Sequence, residues 1–192
     1  MIMATWSEQL GVKLKLLRTV HRLTLENIAS LTGISSRGNV STIEKGNRYI
    51  AAETLYIYSE LFIVSLDWLA GRTDKPYSEE LIHQKETPII DNFPNYKKIL
   101  KSLSLQTRAN IVFLYTYNYA NLCSSLNSDE KLNDTIVKLL DNTNDQSEKY
   151  LLLHKLVSVN LSENNKDFQD LLSGKRKTPI YDVEAAIKKA KI

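Results

Sequence analysis

Leu10, Leu14 and Leu17 recur at spacings of four and three with Lys13, Lys15 and Arg18 between them, which predicts an amphipathic helix ending near His21. Thr24 is placed to cap a second, short helix that turns Leu25, Ile28 and Ala29 inward and closes at Gly33. A third helix puts Val40 and Ile43 on its buried side and ends at Gly46, with Ser35 or Ser36 as its cap. A fourth carries Leu55, Tyr58 and Leu61; a fifth starts at Ser65, buries Leu66 and Leu69 and stops at Gly71. Helical spacing assigns Tyr56, Tyr58 and Trp68 to the core. Five short helices in the first seventy residues describe an all-α unit.

The second half has a different rhythm. From Tyr96, the spacing of Ile99, Leu100 and Leu103 predicts a helix, and Ser104 can cap a longer one reaching Ser124. That longer helix is apolar around most of its circumference, through Ile111, Val112, Phe113, Leu114, Tyr115, Tyr117 and Tyr119. One face of a surface helix needs fewer, so it lies at the centre of a bundle or under a second subunit. The expectation is a homodimer formed through Ile111, Phe113, Leu114, Tyr115 and Tyr117. Further helices are predicted from Asp129 (Leu132, Ile136, Leu139, Leu140) and from Ser147 (Leu151, Leu152, Leu156, Val159), and a short one at Phe168 and Leu171. Asparagine-rich turns at Asn142 to Asn144 and at Asn164 and Asn165 separate them. The run YDVEAAIKKAKI after Pro179 can dock on this bundle, swap to a partner or touch DNA; docking is the expectation, with Lys175, Arg176 and Lys177 facing solvent.

Glycine placement marks the division: Gly11, Gly33, Gly38, Gly46 and Gly71 precede residue 72 and only Gly174 follows. Pro76, Pro88 and Pro94 sit among polar residues between the halves. The expected organisation is a domain at 1–72, a linker at 73–94 and a helical domain at 95–192.

Bulk properties narrow the chemistry. A formal charge of +3 is too mild to argue for nucleic acid by itself. Cys123 is the only cysteine, which excludes an intrachain disulfide and the zinc-finger spacings and fits a reducing cytoplasm. His21, His83 and His154 stand apart, none beside a second ligand at metal-binding spacing, so no metal or cofactor is expected. No phosphate-cradling glycine loop or nucleophile turn occurs, which argues against an enzyme. The chain has no signal-peptide pattern at its start and no run near the roughly 18 apolar residues of a membrane span.

The segments LKLLR, LENIASLTGIS, VSTIEKGNR and TLYIYSELFIVSLDWLAGRTD, in that order over residues 10–74, resemble the Cro/repressor-type helix-turn-helix family, often called XRE-like. The resemblance implies a five-helix, lambda-repressor-like DNA-binding domain whose third helix enters the major groove, where donor and acceptor patterns distinguish all base pairs. It places Ser36, Arg37, Asn39, Ser41 and Thr42 on or just before that helix, with Arg37 able to read guanine, and Lys45, Asn47 and Arg48 beside the phosphates. Arg18 and Glu44 match a structural ion pair between first and third helices. The chain departs from the family pattern by one extra residue between Gly33 and Val40, by Leu25 at a commonly polar position, and by Gly38 where many relatives present a base-reading side chain.

The expected function is therefore a transcriptional regulator, a repressor acting as a homodimer on a two-half-site operator in double-stranded DNA. The rival is an antitoxin or a peptide- or protein-responsive switch whose helical second half binds a partner. An exposed apolar groove in that half would favour the rival, and a closed bundle with one symmetric interface would favour plain dimerisation.

Overall fold

A computed structural model describes residues 5–128 and 146–191. They hold eleven α-helices and, among the described residues, no strand. The helices are α1 Trp6–Val20, α2 Leu25–Thr32, α3 Arg37–Glu44, α4 Ala52–Phe62, α5 Leu66–Leu69, α6 Glu79–Asn92, α7 Pro94–Ile99, α8 Leu105–Ser128, α9 Gln146–Asn164, α10 Lys166–Leu172 and α11 Val183–Ala190, with a 3-10 turn at Leu100–Ser102. The helix expected from Asp129 and the turn at Asn142 to Asn144 lie outside the described residues.

The chain divides into two compact units, each assembled from separated segments. The first takes residues 1–83, 104–110 and 179–192. Its core contains Leu14, Leu17, Ile28, Val40, Tyr58 and Ile63, all fully buried, with Phe62, Trp68 and Leu69 nearly so. The capping chemistry is local. Thr24 forms a reciprocal capping box with Asn27, Gly33 closes α2 in the left-handed region at φ 72°, and Ser65 caps α5. α4 ends on Ile63, which adopts φ 57°, an unfavourable conformation for a β-branched residue; its complete burial offsets that strain.

The second unit takes residues 84–103 and 111–178. Phe93 meets Phe168 edge-on at 5.5 Å, and the Tyr96 hydroxyl donates to the buried Glu86 carboxylate at 2.5 Å. His154 of α9 stacks on Tyr115 and Tyr119 of α8, and the Tyr115 hydroxyl lies 2.7 Å from its Nδ1. Burial lowers the His154 pKa, which favours the neutral imidazole.

Several expectations are corrected here. Positions 56 and 58 point about 200° apart on a helix, so only Tyr58 faces inward; Tyr56 is 53% exposed. One turn of α5 cannot bury Leu66 as well as the larger Trp68, and Leu66 is exposed. Most of the supposed linker is α6, which carries Pro88 within it and buries Ile82, Glu86 and Ile89 at helical spacing. Of the residues assigned to a dimer face, Ile111, Phe113, Leu114 and Tyr115 are already buried within the single chain and only Tyr117 is partly open, so these four are not available to a second subunit. The inward stripe of α9 is His154, Val157, Ser158 and Leu161, whereas Leu151 and Val159 are exposed. Hydrogen bonds to Tyr115 and to the helix backbone let polar members face inward there. Finally, the 179–191 segment belongs to the first unit, with α11 packed on α1.

Candidate nucleic-acid interface

The helix α3 is short, and its conformation is fixed from both ends. Ser36 is its cap: the Ser36 hydroxyl accepts from the Asn39 amide at 3.2 Å, which resolves the choice between the two serines. At the other end Gly46 takes φ 73°, the Gly46 amide donates to the Ile43 carbonyl and the Asn47 amide to the Thr42 carbonyl. This is a Schellman closure, satisfying carbonyls that the helix end would otherwise leave without partners.

Its inner side is braced against α1. Val40 is fully buried, and Ile43 and Glu44 are nearly so. Arg18 holds Glu44 through two hydrogen bonds, Nε to Oε1 at 2.6 Å and a second guanidinium nitrogen to Oε2 at 2.8 Å. A third bond runs from Arg18 to the Leu23 carbonyl at 3.2 Å, tying the same guanidinium to the turn before α2. The side chains are 15% and 4% exposed, so this is a desolvated, two-pronged pair rather than a surface contact. Backbone proximity completes the brace. A Cβ on Gly11 would stand 2.7 Å from the carbonyl oxygens of both Ile43 and Glu44, and one on Gly46 would stand 2.6 Å from the Glu8 Cα. Only glycine fits at either place.

The outer side of α3 is open. Gly38, Thr42 and Lys45 lie opposite the buried stripe, flanked by Ser41 on one side and Asn39 on the other. Gly38 has no internal need to be glycine: a Cβ there would meet only the Ser36 hydroxyl, at 3.7 Å, and its φ is not in the left-handed region. The Thr42 hydroxyl donates to the Gly38 carbonyl at 2.8 Å, and the residue is partly exposed. Lys45, Asn47 and Arg48 are exposed beyond the helix.

Two predicted contacts acquire specific constraints. The Asn39 amide is engaged on both ends, donating to the Ser35 hydroxyl at 2.7 Å and accepting from Arg48 at 2.6 Å. Asn39 must break both bonds to read a base edge; as it stands it anchors Arg48 beside the helix. Arg37 pairs with Glu26 of α2 at 3.0 Å with both side chains exposed, a contact that water screens and a phosphate or base can displace. The Glu26 pKa is lowered by a hydrogen bond from its own backbone amide and then by Arg37.

Sequence reading missed Tyr49, which stands next to Arg48 and is 84% exposed. An aromatic side chain in a polar inter-helix loop, outside any helical period, is the signal that can find it. It also missed the packing of Lys13, which is half-buried. Its ammonium donates to the Trp68 carbonyl at 2.5 Å and lies 5.1 Å from the Trp68 ring centre, joining α1 to α5.

Among the described residues, no group of three His, Cys, Asp or Glu side chains is arranged to hold a metal ion, and no helix is long and apolar enough to cross a membrane. No family model, curated protein or solved structure matches the chain.

Proposed function

We propose that the first unit is a lambda-repressor-like module that binds double-stranded DNA sequence-specifically, with α3 in the major groove, and that the protein regulates transcription. The observation that carries this reading is the contrast between the two sides of α3. One side is braced by Arg18–Glu44 and two obligatory glycines, while the other offers a bare glycine, hydroxyls and basic groups to solvent. A rigid helix with a small-residue outer face suits close insertion into a groove. Gly38 supports it further, because glycine within a helix forgoes about 1 kcal/mol relative to alanine and nothing among the described residues requires it. Lys45, Arg48 and Tyr49 flank the helix where they can reach phosphates, and Arg37, exposed at its first turn, is the proposed base reader once it leaves Glu26.

A homodimer on paired half-sites remains the proposed assembly, with half-sites about 34 Å apart or a multiple of it. The second subunit then uses a surface other than the buried group at 111–115.

The experiment is selection of bound duplexes from a random pool, followed by titration of the best site and of a scrambled one at several salt concentrations. The proposal expects a clear preference for the selected site and a salt-dependent loss of affinity on both. Equal affinity for the two duplexes would remove the sequence-specific reading.

A further inference from the structure

The 179–191 segment is held in an unusual way for a peripheral helix: two buried amide side chains of α8 grip its main chain. Asn110, 1% exposed, accepts from the Tyr181 amide at 2.5 Å and donates to the Tyr181 carbonyl at 3.2 Å. Gln106, 5% exposed, accepts from the Glu184 amide at 2.8 Å and donates to the Asp182 carboxylate at 3.1 Å. That same carboxylate caps α11 by accepting from the Ala185 amide. Val183 is fully buried, and the Tyr181 ring lies 4.7 Å from the ring of His21, the residue that ends α1. Side-chain amides carry both a donor and an acceptor, so one residue can hold both polar groups of a main-chain unit, as Asn110 does at Tyr181.

The position of this grip matters for α3. His21 donates to the Leu17 carbonyl at 2.8 Å, and the next residue along is Arg18, which holds Leu23 and Glu44. Tyr181 thus packs on the end of the helix that braces α3. Residues 175–178, just before the gripped segment, are assigned to the other unit, so the segment returns to the first unit only at Pro179.

We infer that residues 179–191 act as an intramolecular ligand of the first unit, received by Gln106 and Asn110, and that their seating holds α1 in the position from which it braces α3. An effect on DNA affinity follows and rests on the function proposed above, whereas the seating itself does not.

The test replaces residues 175–178 of the full chain with the recognition sequence of a site-specific protease and cleaves after folding. Gel filtration should show fragment 179–192 travelling with the body, although no covalent link remains. With Tyr181→Ala, a change confined to the fragment, it should separate, the body should melt at a lower temperature, and amide exchange in α1 and α3 should quicken. Adding synthetic peptide 179–192 should reverse both changes. Affinity for a selected duplex should fall about tenfold on loss of the fragment and return with the peptide. Separation of the unsubstituted fragment, or its removal without effect on melting and exchange, would overturn the inference. If the intact chain prefers no duplex, the DNA reading fails, and co-elution, melting and exchange still decide the seating.

Discussion

The two sides of α3 are made of opposite materials. Toward α1 there is a desolvated ion pair, backbone against backbone at Gly11 and Gly46, and the fully buried Val40; toward solvent there are a glycine, hydroxyls and cations that rely little on packing. The fold thus constrains the inner side almost completely and leaves the outer side to be chosen by what it meets. Substitutions on the inner side should therefore act through stability, and those on the outer side through recognition.

The sharpest way to break this contrast is Glu44→Ala. Arg18 would keep its charge in a desolvated place with only the Leu23 carbonyl to receive it, so urea unfolding should show a loss of about 3 to 5 kcal/mol. A loss near zero would mean that the brace is not a buried pair. Acidification acts on the same helix. Burial lowers the His21 pKa to about 4 from an ordinary 6.5, so the unfolded chain takes up a proton that the folded chain refuses. Stability contributed by this group is then full above about pH 6.5 and is lost as pH falls toward 4, by about 3 kcal/mol. In His21→Phe, which keeps a ring beside Phe62 and Tyr181, the melting temperature should vary less over that range. An unchanged pH slope would assign the effect to other groups.

Gly11→Ala sits next in size. The added methyl meets two backbone carbonyls that cannot rotate away, and a loss of about 1 to 3 kcal/mol by thermal unfolding is expected. The outer side answers with the opposite sign: Gly38→Ala should raise stability by about 1 kcal/mol while weakening binding to a selected duplex, because the new Cβ has room in the free protein but not against a groove floor. A variant both more stable and equally tight would show that Gly38 does not mark a close approach. Least visible in the free protein is Arg37→Ala, which should leave the melting temperature unchanged yet reduce discrimination at one base pair about tenfold. Arg48→Ala should weaken all duplexes alike, and equal losses on specific and random DNA for Arg37→Ala would remove its reading role.

How much could be read in advance depended on whether the deciding interaction was local. The ends of α2, the close of α3 at Gly46 and the cap of α5 at Ser65 came from capping side chains and left-handed glycines, which act within four or five residues, whereas α4 has no side-chain cap and ends on Ile63, which no such local signal marks. α6 was hidden because Pro88 argues for a break, while the burial of Ile82, Glu86 and Ile89 that overrides it is a tertiary effect. The inward face of α9 was not legible for a related reason: its apolar Leu151 and Val159 are exposed, while a partner such as Tyr115 makes His154 and Ser158 acceptable inside.

Periodicity and capping, which are short-range, were enough to read a helical chain, the cap and close of α2 at Thr24 and Gly33 and the cap of α5 at Ser65 directly from the residues, while Arg18 and Glu44 were matched through the family resemblance. Only the tertiary structure decided that Asn39 is occupied, that Tyr49 stands exposed, and that Gln106 and Asn110 grip the backbone of residues far along the chain. Those outcomes depend on which groups meet across long separations, where burial and hydrogen-bond satisfaction outweigh local preference.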